Sequence, residues 1–285
     1  MEKYQLTLNR FKKASSETSV KQAVQQILAG HFEENNNANI CKFLYGCLDL
    51  TSLNPQDSKE SIWKLVEKVN AAGDRPDICN VAAICVYPNL VSVAREALTT
   101  ETTRIASVAG GFPSSQTFTE IKIAETALAV ADGADEIDTV INLGAFLEQE
   151  YEEMCEEIME IKEAARNATL KVILETGLLT SPQQIKDAAI LSIYSGADFI
   201  KTSTGKNGQG ATPEAFYVMC EVIREYNELY NKKIGIKAAG GIRTVEEAIK
   251  YYTIVKETLG EEWLSPTLFR IGASSLADEL LKTCL

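Results

Sequence analysis

Eight short apolar runs recur along the chain, each followed by a stretch with helical spacing, at intervals of roughly 30 residues. The runs span 43–50, 82–87, 105–111, 134–141, 170–177, 198–201, 233–239 and 268–275. Helical patterns fill the gaps, as at 58–71, 118–131 and 148–165. Ser181-Pro182 and Thr212-Pro213 each place a capping hydroxyl before a proline at the first helical position, and Thr244 caps a helix ending near Gly260. Eight strand-then-helix units with no linker between them predict an α/β fold, a single (β/α)8 TIM barrel. An open doubly wound sheet is the rival, but no strand is followed by the spaced glycines of a dinucleotide-binding turn.

At 285 residues and 45% hydrophobic composition, the chain can bury one such core. We expect one domain over 1–285, with the barrel at 41–285 and an added helical extension at 1–40. In that extension Val20, Ala23, Val24 and Ile27 form one stripe, Gly30 ends it, and a polar run begins at Glu33. It is expected to cover the barrel's underside. The net charge of −12 argues against nucleic acid and anionic membranes as partners. No run is long and apolar enough to span a bilayer, and the polar start, Met1 to Leu6, is unlike a secretory signal, so a cytoplasmic setting is expected. Seven scattered cysteines without a CxxC pair fit a reducing compartment. The single histidine, His31, reads as a solvated residue near a helix end, and no metal site is expected. Lys282 and Cys284 read as solvated end residues.

Alternation along two late strands points to chemistry. Lys201 shares a face with Phe199 and Ser203, opposite Ile200 and Thr202. Lys237 shares a face with Gly235 and Ala239, opposite Ile234 and Ile236. In a closed barrel both ammonium groups point inward near the top. A nucleophilic lysine must be neutral, so its pKa must fall from about 10.4, and burial beside a second cation pushes it down. One amine would attack a carbonyl while the other's charge keeps it deprotonated. Inward-facing Asp138 on the fourth strand, and Asp49 on the first, could transfer protons or pair with the lysines.

Phosphate in such barrels commonly sits beyond the seventh and eighth strands, where Gly240-Gly241 and Gly272-Ala273-Ser274-Ser275 fall. Thr204-Gly205-Lys206, after the sixth strand, could complete an anion cradle.

The segments Phe199 to Lys206, Lys237 to Thr244, Arg270 to Ser275, Ala134 to Asp138 and Asp49 to Asn54 together resemble class I deoxyribose-phosphate aldolase, in order, from about residue 43 to 281. The resemblance implies reversible cleavage of 2-deoxy-D-ribose 5-phosphate to acetaldehyde and D-glyceraldehyde 3-phosphate, in deoxyribose catabolism, with no cofactor. It implies that Lys201 forms the Schiff base, Lys237 tunes it and Asp138 moves protons. It further implies that Thr204, Gly205, Lys206, Gly240, Gly241, Gly272, Ser274 and Ser275 surround the phosphate, that Asp49 and Cys85 line the pocket, and that the protein is a homodimer whose partners are a phosphorylated sugar and aldehydes. Some members of the family end in a tyrosine that assists proton transfer, whereas this chain ends in Leu285.

Two alternatives stay open: a Schiff-base aldolase or transaldolase on another sugar phosphate, and a phosphosugar-binding barrel without chemistry. Release of acetaldehyde separates the first, and covalent trapping the second.

Overall fold

The computed structural model describes residues 2–73 and 78–283. Helices α1 (Glu2–Leu8), α2 (Glu17–Asn35) and α3 (Ala38–Gly46) precede strand β1 (Leu48–Thr51). Strands and helices then alternate: α4 (Lys59–Gly73), β2 (Ala83–Val86), α5 (Val91–Ala97), β3 (Arg104–Ala109), α6 (Thr119–Ala131) and β4 (Glu136–Val140). The second half adds α7 (Leu143–Leu147), α8 (Tyr151–Ala165), β5 (Thr169–Ile173), α9 (Pro182–Tyr194), β6 (Phe199–Lys201) and α10 (Pro213–Tyr230). It closes with β7 (Gly235–Ala239), α11 (Val245–Leu259), β8 (Phe269–Ala273) and α12 (Leu276–Thr283). All neighbouring strands pair in parallel, and β1 pairs with both β2 and β8, so the sheet is a closed eight-stranded barrel.

Period-two alternation divides each strand between two environments. Outward residues such as Ile84, Ile105, Ile137, Val172, Ile200, Ile236 and Ile271 are buried beneath the helices in one large core. Inside the barrel a second, small apolar cluster of Leu53, Ala83, Cys85, Ala106 and Val108 lines the β2–β3 side. The opposite side of the interior carries charge. Ser181, Thr212 and Thr244 cap α9, α10 and α11 as their positions predict, and at Thr244 Glu247 returns the bond to complete a capping box.

Three expectations are corrected. The apolar run at 43–50 is not one strand: Cys41, Leu44 and Tyr45 are buried at helical spacing in α3, whose first turn is capped by the Asn37 side chain, and the strand begins only at Leu48. Gly30 does not end α2; the helix continues to Asn35, whose amide donates to His31 O (2.9 Å) and Thr253 Oγ1 (3.2 Å). The N-terminal segment packs on the outer helices rather than beneath the strands, α1 on α9, α2 on α10 and α11, and α3 on α11 and α12, tied by Lys12 N to Glu225 Oε1 (2.6 Å) and Lys256 Nζ to Asn35 Oδ1 (3.1 Å). His31 stands between Glu34 (3.2 Å) and Glu257 (3.5 Å), partly exposed. Lys282 is exposed and pairs with Glu279 at 2.8 Å; Cys284 lies outside the described residues. Among the described residues no helix is long and apolar enough to cross a membrane.

Candidate active site

Strand register brings the charged side chains to one level. Lys171 is the register partner of Asp138, Lys201 of Lys237, Lys237 of Arg270, and Asp49 of Gly272. Register partners on parallel strands point to the same side, so these groups converge inside the barrel. Asp49, Asp138, Lys171 and Lys237 are fully buried, and Lys201 is 4% exposed.

The contacts form one network. Asp138 Oδ2 accepts from Lys201 Nζ at 2.7 Å and from Lys237 Nζ at 2.8 Å, while its Oδ1 accepts from Lys171 Nζ at 2.8 Å. Lys237 also donates to Asp49 Oδ2 at 2.5 Å. Lys171 further meets Glu136 at 2.6 Å and Asp49 at 3.2 Å. Arg270 closes the floor, donating to Asp49 Oδ1 (2.6 Å) and Glu136 Oε1 (2.8 Å). Four cations, Lys171, Lys201, Lys237 and Arg270, thus face three carboxylates, Asp49, Glu136 and Asp138, which leaves one surplus positive charge if all ionise. A net buried charge is expensive, and the cation with the weakest anionic company relieves it most readily by releasing a proton. Lys201 is that cation: its one carboxylate partner is shared, whereas Lys237 has two and Lys171 three.

The pKa directions follow from this geometry. Burial lowers Lys201, Asp138 opposes that, Lys237 adds to it, and the net shift is downward. Burial acts the same way on Lys237, but Asp138 and Asp49 outweigh it and hold that ammonium above its ordinary value. Burial pulls Lys171 down too, but Asp138, Asp49 and Glu136 hold it well above its ordinary value. Burial by itself would raise Asp138, yet Lys171, Lys201 and Lys237 hold it well below the carboxylate range.

Close packing fixes the lysine stems. Phe199 occupies the space beside Gly235, where a Cβ would stand 2.4 Å from the ring. Gly272 likewise leaves room for Lys237, whose Cε would meet a Cβ at 3.0 Å. The hydroxyl of Thr202 donates to Ala239 O and accepts from Ala239 N, both at 2.9 Å, clasping the ends of β6 and β7.

Above Lys201 opens a cavity of about 210 Å³ lined by Thr204, Gly205, Lys206, Gly240, Gly241, Gly272 and Ser274, together with Thr51, Leu53, Asn54 and Arg243. No carboxylate is among its described lining residues, although the protein carries a net charge of −12. Lys206 and Arg243 give its lining a local positive charge that suits an anion. Gly240 has φ 96° and packs against Gly210, where a Cβ would come within 2.9 Å of Cα; only glycine fits. A larger cavity, about 310 Å³, lies between the starts of α2, α9 and α10 and holds none of the clustered lysines.

The expected site residues therefore fall into four places. Lys201, Thr204, Gly205, Lys206, Gly240, Gly241, Gly272 and Ser274 line the cavity. Lys237, Asp138 and Asp49 form its charged floor. Cys85 lies in the apolar wall, its thiol pushed up by burial, and Ser275 is exposed just before α12, outside the lining. Sequence reading missed Lys171, Glu136, Arg270 and Arg243. The first had a visible signal: a lysine alternating against Leu170 and Val172 must point inward.

Known proteins resemble this chain in sequence and in fold. The aldolase profile described as "DeoC/LacD family aldolase" matches residues 45–280. The deoxyribose-phosphate aldolases of Mus musculus and Homo sapiens are 41% and 40% identical to this chain, each over 244 residues, covering 82% of this chain and 77% of theirs. A solved deoxyribose phosphate aldolase from Aeropyrum pernix, described as tetrameric, superposes with a TM-score of 0.66 at 25% identity, covering 94% of this chain and 98% of its own. With a barrel of this topology, a buried lysine cluster beneath a cavity lined by Lys206 and Arg243, and a family match across most of its length, the chain belongs to the DeoC/LacD aldolase family, carbon–carbon lyases.

Proposed function

We propose that this protein reversibly cleaves 2-deoxy-D-ribose 5-phosphate into acetaldehyde and D-glyceraldehyde 3-phosphate through a Schiff base on Lys201. The observation that carries the reading is that Lys201, the lysine with the poorest anionic company, borders a cavity lined by Lys206 and Arg243. The named activity of the mouse and human relatives supports the choice of substrate.

Neutral Lys201 Nζ adds to C1 of the open-chain sugar, and loss of water gives an iminium. A base takes the C3 hydroxyl proton and the C2–C3 bond breaks. Its electron pair flows to the iminium nitrogen as an enamine, and C3 leaves as the aldehyde of glyceraldehyde 3-phosphate. Protonation at C2 and hydrolysis then release acetaldehyde and the amine. Asp138 is the proposed proton carrier, with the Lys237 ammonium 2.8 Å away as its proton source. Asp49 anchors Lys237, and Cys85 with its apolar neighbours forms the opposite wall. Thr204, Gly205, Lys206, Gly240, Gly241, Gly272 and Ser274 would surround the phosphate, with Ser275 at its edge.

Borohydride reduction in the presence of acetaldehyde tests the reading. Peptide mapping should find the two-carbon adduct on Lys201; an adduct on Lys237 alone would overturn the assignment. The same reading carries one domain over 1–285, a cytoplasmic setting and a homodimer, the last measurable by light scattering.

A further inference from the structure

Glu175 follows β5 with φ 53° and ψ 55°, a left-handed conformation that a non-glycine residue keeps only when its surroundings hold it there. It is 1% exposed, and among the described residues no cation forms an ion pair with it. A buried carboxylate without a cation must be satisfied by hydrogen-bond donors. Its donors all come from the loop between β6 and α10. Thr204 N donates to Oε1 at 3.1 Å, Thr204 Oγ1 to Oε2 at 2.6 Å, and Asn207 Nδ2 to Oε2 at 3.3 Å. Thr204 Oγ1, its proton committed to Glu175, accepts in turn from Lys206 N at 3.0 Å. The relay runs from carboxylate to hydroxyl to the backbone of Lys206. On the strand side, Leu174 N and Thr176 N donate to Lys201 O and Thr202 O, both at 2.9 Å, so Glu175 is anchored on the sheet rather than on the loop it holds.

We infer that Glu175 is a positioning residue for the phosphate end of the substrate: it sets the loop that carries Thr204, Gly205 and Lys206, and leaves the carbonyl chemistry at Lys201 untouched. The inference rests on the phosphate cavity proposed above. Glutamine would keep the size of the side chain but turn an amide N–H₂ toward one of the donors, breaking the relay.

The experiment compares kcat and KM for 2-deoxyribose 5-phosphate and for unphosphorylated 2-deoxyribose in the wild type and Glu175→Gln. The expected result is a KM for the phosphorylated sugar raised about tenfold. Turnover of 2-deoxyribose and the yield of borohydride-trapped acetaldehyde at Lys201 should stay unchanged. Equal losses on both sugars, or a fully retained preference for phosphate, would overturn the inference while leaving the cavity reading intact. A wild type that treats the two sugars alike would remove the phosphate cavity itself, and the inference with it. If Glu175→Gln does not fold, Glu175→Asp, which keeps the charge and shortens its reach, carries the same comparison.

Discussion

Lys201 and Lys237 share a single oxygen, Oδ2 of Asp138, at 2.7 and 2.8 Å. Two ammonium groups on one acceptor are an unequal pair, because Lys237 has Asp49 as well. Burial and the Lys237 charge lower the pKa of Lys201, whereas, against burial, Asp138 and Asp49 hold that of Lys237 above its ordinary value, which makes the two amines chemically different although their strands are neighbours.

Replacing the proposed nucleophile, Lys201→Leu, should abolish both the borohydride adduct and cleavage. Mass spectrometry of the trapped protein and a coupled assay for glyceraldehyde 3-phosphate measure the two effects. Retained turnover would mean that the chemistry runs through another group.

Lys237→Leu removes a positive neighbour from Lys201 and leaves Asp138 to favour its ammonium. The pKa of Lys201 should rise, so the adduct should form only at higher pH than in the wild type. An unchanged pH profile would show that the Lys237 charge does not tune the amine.

Arg270 holds Asp49 and Glu136 in the floor of the site. Arg270→Met would leave both carboxylates short of a buried partner, and stability should fall by about 3–5 kcal/mol. Urea unfolding measures this, and adding Glu136→Gln should recover part of the loss through a double-mutant cycle.

The same floor sets the acid response. Against burial, the surrounding lysines, with Arg270 also acting on Asp49, depress Asp49 and Asp138 in the folded state, so both carboxylates contribute stability that is complete above their unfolded value, about pH 4. That contribution fades as pH falls below this value toward the folded pKa. Unfolding midpoints should therefore drop on acidification below about pH 4, and Asp49→Asn should flatten the slope there. An equal slope in the variant would place the acid sensitivity elsewhere.

Gly235→Ala would drive a methyl into the Phe199 ring, whose nearest atoms lie 2.4 Å from the Cβ position. Overpacking of this kind costs about 1–3 kcal/mol, which chemical denaturation can resolve. Phe199→Leu in the same chain should relieve part of it.

The barrel was legible because period-two and helical spacing alternate for most of the chain, and caps such as Ser181 and Thr212 announce helix starts without tertiary help. The stretch before β1 was not. Its run from Phe43 to Leu48 carries no charge, and such a run suits either a helix or a strand until something fixes its start. Asn37, hidden in a polar stretch, does so by capping α3. In the site, Lys201, Lys237, Asp138 and Asp49 could be placed on inward faces from alternation alone. What alternation cannot give is register, and register decides that Lys171 stands opposite Asp138 and that Arg270 closes the floor. Glu175 escaped for a different reason: it follows the strand in a left-handed conformation, where neither periodicity applies.

The clasp between Thr202 and Ala239 fixes the spacing of the strand ends that carry the two amines, below the turns that roof the cavity. Insertions or exchanges in the overlying turns would then alter which aldehydes enter without detuning the amine that receives them. Substrate range and nucleophile reactivity become separately adjustable in such a scaffold.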